Sequence, residues 1–326
     1  MRKIIAIGES VLDTLFHHGK PVKAFVGGRI ANAAASLATM GIPTSMVSEC
    51  STDCVGDIIV DFLKAHNVDV RSIDRYPDGA TPLAAIFQGE NGQRDSIVNY
   101  GNYPNDRFDV LWPTIDHDDI VLFGSLYSVD LPQRERLMDL VNYAVERGAI
   151  VVYLPGFQHG ISFRITRVMP NVLENLEVAS IIIAHDRDLQ EIFPDETVEE
   201  AFVHHINFSG NAYVHLSDSA APKLYRGTQR ASHGTVSTDS HNRLGWQAGF
   251  TAGLLYALLL HDITRDNLAA LDTDGWRQLL DCAVDCAQEC VASSDNCVSA
   301  DYATRAATRL RDALAQHQES STTPQP

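Results

Sequence analysis

The sequence lacks the positive charge that is typical of nucleic-acid-binding proteins. Its 326 residues include 25 Lys and Arg against 42 Asp and Glu, so the formal net charge is −17 at pH 7. The basic residues are scattered along the chain and do not form a stripe that could follow a phosphate backbone. Nucleic acid is therefore not expected as a partner.

Long hydrophobic runs are also missing. The longest apolar stretches, such as residues 179–184 and 252–260, are much shorter than the ~20 residues that a transmembrane helix needs. The start of the chain, Met1-Arg2-Lys3-Ile4, leads into a strand pattern and carries no targeting signal. We therefore expect a cytoplasmic protein with no membrane partner.

Neither cysteine nor histidine shows the spacing that is typical of a metal site. The six cysteines of a large cytosolic chain are expected to be reduced thiols. Cys282, Cys286 and Cys290 share one helix face, where a metal site is one interpretation. Because metal sites usually show paired short spacings, we favour thiols that fill a seam between packed helices. His17-His18 and His204-His205 lack a third ligand at a familiar spacing and are interpreted as polar loop or helix-end residues.

The sequence does contain a regular alternation of apolar runs of strand length with amphipathic runs of helix length. This pattern predicts a doubly wound α/β fold, in which a mostly parallel sheet is flanked by helices. Residues 12–26 and 82–101 add strand patterns that have no place in such a sheet, and we interpret them as a small β-sheet lid. We expect one domain over residues 1–316 and a disordered tail over residues 317–326, which has little apolar surface to bury.

A glycine pair followed by a helix distinguishes the amino-terminal part. The stretch from Gly27-Gly28 to Gly41, with Asn32 on the first helical turn, resembles the first signature of the ribokinase-like (PfkB) carbohydrate kinase family. Gly8-Glu9 and Asp13 resemble the opening strand and the substrate-binding Asp of that family, and the segment 53–56 resembles its Asp-x-x-Gly motif. The lid segments also fall where the family has its lid.

This resemblance implies that Asp13, Gly27, Gly28 and Asn32 bind a sugar or nucleoside. The residue types agree, because a glycine pair lets a ligand approach the backbone and a helix start presents free N–H groups. A carboxylate and an amide together suit vicinal hydroxyls, which both donate and accept hydrogen bonds. Taken singly, the glycines could form a tight turn, Asn32 a cap and Asp13 a turn residue; their order and spacing favour the binding site.

The second signature of the family, Asp-Thr-x-Gly-Ala-Gly-Asp ahead of a long helix, is largely replaced. Counting back from the helix at residues 246–254 puts Leu244 where the resemblance implies the catalytic Asp, and leucine cannot accept a proton. Asn242 and Arg243 stand at the positions of the phosphate-binding loop, and Arg243 could meet a phosphate. Asp239 is the candidate substitute for the base, although a turn cap at Asp239 and a solvated charge at Arg243 are the simpler interpretations.

The nucleotide side departs from the family as well. The Asn-x-x-Glu that helps to place magnesium corresponds to residues 185–188, where Asp188 keeps a carboxylate. The Thr-x-Gly strand end corresponds to residues 215–217, which makes Ser217 the candidate nucleotide contact. The resemblance implies ATP and Mg²⁺ as cofactors. Because a general base contributes ~10²–10⁴ in rate, these replacements predict a weakened or remodelled catalytic site.

Two functions are consistent with these observations. The first is ATP-dependent phosphate transfer to a sugar or nucleoside hydroxyl, and the second is a catalytically inactive relative that keeps the sugar pocket as a sensor or partner-binding device. A nicotinamide dehydrogenase is excluded, because no Gly-x-Gly-x-x-Gly follows the first strand. Since lids of this family often pair, the apolar lid residues Leu83, Ile86 and Phe87 predict a homodimer formed through the lid.

Overall fold

The computed structural model describes residues 1–88, 94–104, 106–130, 132–157, 165–207, 210–233, 244–293 and 295–322. For residues 88, 94–100 and 318–322 it describes the backbone alone. The site candidates Asp239, Asn242 and Arg243 lie outside the described residues.

The described residues contain one large sheet, which confirms the predicted α/β class. Its order is β13-β12-β11-β10-β9-β8-β1-β4-β5. The pairings from β5 to β11 are parallel, and β12 and β13 join by antiparallel pairing. These strands are β1 Ile4–Ile7, β4 Thr44–Ser51, β5 Ile73–Tyr76, β8 Ile120–Gly124, β9 Ile150–Leu154, β10 Ile181–His185, β11 Ala212–Leu216, β12 Lys223–Arg226 and β13 Gln229–Ser232.

Helices cover both faces of this sheet. Its central strands are runs of buried apolar residues, which is typical of a parallel sheet between two helical layers. One layer holds α1, α2, α7, α8 and α9, and the other holds α3, α4, α5 and α6. The helices are α1 Arg29–Thr39, α2 Cys54–Ala65, α3 Arg134–Glu146, α4 Ile165–Val178, α5 Asp186–Ile192, α6 Val198–Ala201, α7 Trp246–Leu260, α8 Thr273–Ala292 and α9 Ala300–Thr322.

A second, smaller sheet forms at the two segments that the sequence analysis assigns to a lid. Its strands, in the order β3-β2-β6-β7, are β2 Val11–His17, β3 Lys20–Gly27, β6 Ala80–Gln88 and β7 Arg94–Asn102. Two antiparallel hairpins meet here through the parallel pairing of β2 with β6. Leu83 is 36% exposed, as expected, but Ile86 is buried because residues three positions apart point to opposite faces of a strand.

Asp53 connects the lid to the main domain. Its carboxylate caps α2 by accepting the N–H of Gly56 at 2.7 Å, and it also accepts the N–H and the hydroxyl of Thr81 at 2.9 and 2.7 Å. Burial would raise the pKa of Asp53, but the hydrogen bonds from Gly56 and Thr81 outweigh it and lower the pKa. The Asp-x-x-Gly segment therefore fixes both a helix start and the first residues of β6.

The carboxyl terminus differs from expectation. Helix α9 continues past residue 316 to Thr322, whereas the sequence analysis ends the ordered domain at 316. The helical pattern persists there because residues 317–322 contain no proline or glycine to interrupt it. Residues 323–326 lie outside the described part. Within the described ranges, no helix combines the length and apolar character that crossing a bilayer requires.

The cysteines of α8 pack against the glycines of α7, as predicted. Cys286 and Cys290 are fully buried, and all six cysteines are free thiols. A Cβ added to Gly249 would lie 2.8 Å from the Sγ of Cys290, and one added to Gly253 would lie 2.6 Å from the Cβ of Cys286. Because the two glycines lack side chains, the two helices can approach closely at this seam.

Replacing Gly253 with alanine is expected to destabilise the protein. The new methyl group would overlap Cys286 and the backbone of Ala283, and overpacking a filled core costs about 1–3 kcal/mol. The matched control is Gly275→Ala in the first turn of α8, where the nearest atom is the flexible end of Leu271. Urea unfolding should give a lower free energy of unfolding for Gly253→Ala than for Gly275→Ala, and equal values would contradict the tight seam.

Candidate functional site

The carboxyl ends of the parallel strands meet at one edge of the main sheet. Glu9 lies after β1, Ser125 after β8, Phe157 after β9 and Ser217 after β11, while His185 ends β10. In open α/β sheets, ligands bind at this edge. The polar residues at these strand ends, together with the adjoining lid strands, form the candidate site.

Asp13 and the glycine pair are in direct contact. Asp13 lies on β2, and its carboxylate covers the Cα of Gly27 at the end of β3, so any side chain at position 27 would overlap it. Gly28 has a φ of 92° and precedes α1, and a Cβ there would lie 2.7 Å from the carbonyl oxygen of Glu9. Gly28 therefore requires glycine, and a side chain at position 27 would displace the Asp13 carboxylate from the turn.

The side chain of Asn32 contacts the same turn through hydrogen bonds to backbone carbonyls. Its side-chain Nδ2 donates to the carbonyls of Val26 and Gly28, both at 3.1 Å, and the thiol of Cys297 donates to its Oδ1 at 3.6 Å. The residue is 6% exposed. These contacts make Asn32 a support for the Gly27-Gly28 turn, and its predicted contact with a substrate stays a prediction.

Glu9 contributes a carboxyl group next to the glycine turn. It is largely enclosed by protein, and this desolvation raises its pKa, although a hydrogen bond with Ser125 and the charge of Arg29 oppose the shift. Ser125 has a φ of 58°, a left-handed conformation that costs energy in a residue other than glycine. Burial in turn lowers the pKa of Arg29, while Asp188 and Glu9 act to raise it.

Asp188 is a fully buried carboxylate that joins two strand ends. Its Oδ1 accepts the N–H of Phe157 and its Oδ2 accepts the N–H of His185, both at 2.8 Å. Nη1 of Arg29 lies 4.0 Å from Oδ2. Each oxygen of Asp188 thus accepts one backbone N–H, and an ionised carboxylate has further lone pairs. Its role as a magnesium ligand, which the resemblance implies, stays a prediction.

Two histidine and carboxylate pairs occupy the nucleotide side of the edge. Nε2 of His185 lies 3.2 Å from Oδ1 of Asp218, and Arg187 donates to Oδ2 of Asp218 at 2.7 Å. The hydrogen bond with His185, helped by the charge of Arg187, lowers the pKa of Asp218 to about 2. Asp218 is therefore an anion at neutral pH whose two oxygens are both paired.

The second pair joins Asp186 to His215. Nε2 of His215 lies 2.8 Å from Oδ1 of Asp186, and its Nδ1 is hydrogen-bonded to the hydroxyl of Tyr213 at 2.9 Å. Burial would raise the pKa of Asp186, but hydrogen bonds from His215 and Ser217 outweigh it and lower the pKa. Ser217, the predicted nucleotide contact, is 6% exposed and bonds within this network.

The predicted catalytic region is only partly described. Leu244 directly precedes Gly245, which has a φ of 88° and caps the start of α7. Leu244 therefore lies at a helix N-terminus, where the positive end of the helix dipole favours a carboxylate. The sequence analysis expects the catalytic Asp of the family at this position.

A buried charge network, which the sequence analysis missed, lies between the end of β4 and the lid. Nε of Arg107 donates to Oε1 of Glu49 and its Nη1 donates to Oδ2 of Asp130, both at 2.8 Å. The hydroxyl of Tyr127 donates to Oε2 of Glu49 at 2.7 Å. The guanidinium carbon of Arg107 lies 3.6 Å from the ring centroid of Tyr103.

This network borders the candidate site and is strongly desolvated. Burial raises the pKa of Glu49 in spite of its hydrogen bond with Arg107. Asp130 raises the pKa of Glu9, so the two carboxylates lie close enough to repel each other. The sequence does offer one signal for these missed residues, which is a polar side chain at the end of a predicted buried strand. That signal would have selected Glu9, Glu49 and Ser125.

Comparisons with known proteins agree with this architecture. The family model of the pfkB family carbohydrate kinases matches residues 1–302. An uncharacterized sugar kinase of Pyrococcus horikoshii is 29% identical over 147 residues, which is 42% of this chain and 47% of that protein. The alignment thus spans less than half of that relative. A fructokinase of Rhizobium leguminosarum bv. trifolii is 23% identical over 286 residues, which is 84% of this chain and 85% of that protein.

Solved structures show the same fold. The Pyrococcus horikoshii sugar kinase in complex with ATP has a TM-score of 0.74 at 17% identity, over 94% of this chain and 99% of that chain. A fructokinase from Vibrio cholerae O395, solved with fructose, ADP and calcium ion, has a TM-score of 0.72 at 18% identity, over 90% of this chain and 93% of that chain. The fold is therefore ribokinase-like, and the chain belongs to the pfkB family of carbohydrate kinases.

Proposed function

We propose that the chain binds a sugar or nucleoside at Asp13 and the Gly27-Gly28 turn, and that it transfers phosphate from ATP to this ligand with weakened efficiency. The contact between the Asp13 carboxylate and the bare backbone of Gly27 carries the proposal. The cytoplasmic location and the single-domain organisation belong to the same proposal.

The proposed binding chemistry follows from the groups at the turn. A carboxylate accepts two hydrogen bonds from vicinal hydroxyls, and the two glycines let the carboxylate of Asp13 and the carbonyl of Glu9 lie directly against the turn. The Asn32 amide holds the carbonyls on both sides of Gly27, so it keeps the turn in shape for the ligand. Fructose is the first ligand to test, because two of the similar proteins are fructokinases.

The proposed loss of efficiency rests on Leu244. Its position before α7 is where the family resemblance puts the base, and leucine cannot take a proton from an attacking hydroxyl. Phosphate transfer depends mainly on positioning and electrostatics, so a kinase without this base can keep residual activity. ATP is proposed as the donor because a similar sugar kinase was solved with ATP.

The alternative, a sugar-binding relative without catalysis, is favoured by one observation. Asp188, Asp218 and Asp186 on the nucleotide side are already paired with backbone N–H groups, arginine or histidine. A metal and nucleotide complex would have to break these contacts or use other groups. In this alternative the sugar pocket acts as a sensor or a device for binding a partner.

Replacing Asp13 with asparagine is expected to weaken sugar binding at least tenfold. The variant keeps the shape of the side chain but loses the charge, and a hydrogen bond to a charged group contributes about 1.5–3 kcal/mol. Isothermal titration calorimetry with a panel of sugars and nucleosides, beginning with fructose, measures the effect. The control is Asp78→Asn, an exposed carboxylate just before β6. Equal affinities of the Asp13→Asn variant and the wild-type protein would refute the binding site.

Replacing Leu244 with aspartate is expected to raise the rate of ATP-dependent phosphorylation. A positioned general base is worth ~10²–10⁴ in rate, and we expect at least a tenfold gain in kcat. The matched control is Leu244→Asn, which has nearly the same shape and cannot act as a base. Phosphorylated product is measured with each sugar that binds.

The pattern of activities separates the two proposed functions. Activity in the wild-type protein that rises in Leu244→Asp but not in Leu244→Asn supports the weakened kinase. Sugar binding without product in all three proteins, and without measurable ATP binding, refutes the kinase and leaves the sensor. The comparison requires that all three proteins unfold at similar temperatures.

The lid is also proposed to join two copies of the chain. Leu83 on β6 and Val22 on β3 are 36% and 56% exposed, and such apolar residues on a small sheet suit a partner surface. Analytical ultracentrifugation at micromolar concentration should show a dimer that Leu83→Arg dissociates. Leu111→Arg, at an exposed leucine outside the lid, is the control. A wild-type monomer under these conditions would contradict the proposal.

A further inference from the structure

Glu196, His204 and His205 form a cluster outside the proposed sugar site. Nε2 of His205 lies 2.9 Å from Oε1 of Glu196, and Nδ1 of His204 lies 3.4 Å from Oε2 of the same carboxylate. One ligand atom from each of the three residues lies within 4.8 Å of the others. Among the described residues, this is the one group of three or more histidine, cysteine or acidic side chains with that spacing.

A π-helical turn brings the two histidines together. Residues Phe202–Ile206 extend α6 as a π-helix, whose wider turn reduces the angle between consecutive side chains. Such turns are rare and occur frequently at functional sites. His204 and His205 can therefore face one carboxylate although they are neighbours in the sequence. Glu196 is the third candidate ligand. The sequence spacing does not reveal it, because helix α6 separates Glu196 from the two histidines.

The surroundings orient the ring of His205 and fix the backbone next to Glu196. The ring of Phe193 stacks on His205, with centroids 4.0 Å apart and an angle of 6° between the planes. Glu196 directly precedes Thr197, whose side chain and backbone close a capping box with Glu200 at the start of α6. Because these neighbours already restrict the ligand residues, binding of an ion costs less conformational entropy.

The carboxylate has capacity for a further ligand. Oε2 of Glu196 is enclosed by protein, and its contact with Nδ1 of His204 at 3.4 Å lacks the geometry of a hydrogen bond. The side chains of His204, His205 and Glu196 are 56%, 30% and 27% exposed, so solvent can reach the cluster from one side. An ion placed between the three atoms would therefore keep an open position for water.

These observations match the chemistry of a d-block divalent cation. Zinc takes imidazole nitrogen and carboxylate oxygen at about 2.0–2.2 Å, and in tetrahedral geometry such atoms lie roughly 3.4 Å apart. The two nitrogen–oxygen distances of 2.9 and 3.4 Å are similar to that value, and one ligand atom from each residue lies within 4.8 Å of the others. Calcium and magnesium prefer sites made of oxygen alone, so two imidazoles exclude them.

We propose that Glu196, His204 and His205 form a binding site for one zinc-like divalent cation, with water completing the coordination. The site joins the loop between α5 and α6, where Glu196 lies, to the π-helical turn after α6. It does not depend on the function proposed for the sugar site. His204 and His205 lie in the last helical turn, as the sequence analysis interprets them, and the proposal adds a ligand role to that position.

Calorimetric titration of the full, tag-free chain with zinc chloride tests the proposal. One zinc ion per chain is expected, and His204→Ala, His205→Ala and Glu196→Gln should each lower the affinity at least tenfold, since even the loss of an outer-sphere partner costs about 10–100-fold. The control is His117→Ala, an exposed histidine 2.9 Å from the Asp118 carboxylate but without a second imidazole. It should bind zinc like the wild-type protein.

X-ray absorption at the zinc edge separates this site from binding at thiols. Nitrogen and oxygen neighbours at about 2.0–2.1 Å are expected, whereas sulfur neighbours at about 2.3 Å would overturn the proposal. Absence of zinc binding, or unchanged binding in the His204→Ala/His205→Ala double variant, would overturn it as well. Unfolding temperatures measured without metal confirm that each variant is folded.

Discussion

The site depends on one steric constraint, which is the absence of side chains at Gly27 and Gly28. The carboxylate of Asp13 occupies the place where a Cβ of residue 27 would stand, and the carbonyl of Glu9 approaches the place where a Cβ of residue 28 would stand. Asn32 then holds the carbonyls of this turn. A lid strand, the first strand end and α1 thus converge on two residues, and a larger residue at either would separate them.

The sequence predicts the fold and the proximity of Asp13 to the glycine pair, because their signals are local. Alternating apolar runs indicate the parallel sheet, and the glycine pair with Asp13 indicates the turn. It predicts Asn32 less well, since a residue type does not reveal whether an amide faces a ligand or the backbone. The Arg107 and Glu49 network was missed because its members lie 58 positions apart and meet only through the tertiary fold. For the same reason, the sequence analysis does not associate Glu196 with His204 and His205.

The two sides of the sheet edge differ in how their charges are satisfied. On the sugar side, Glu9 is desolvated and its pKa is raised, which is a destabilising condition that proteins tolerate at functional sites. On the nucleotide side, the carboxylates of Asp186 and Asp218 are held as anions by histidine and arginine partners. The carboxylates of Asp186 and Asp218 are therefore stabilised as anions by their partners, whereas burial of Glu9 beside the glycine turn disfavours its charged form.

The Asp53 contacts limit how the small sheet can move. Because one carboxylate caps α2 and also holds both the N–H and the hydroxyl of Thr81, the root of β6 is pinned to the main domain. A rigid-body swing of the sheet about that root would have to break these hydrogen bonds. Bending of the strands beyond Thr81 would keep them, so this attachment favours movement within the sheet over movement of the sheet as a whole.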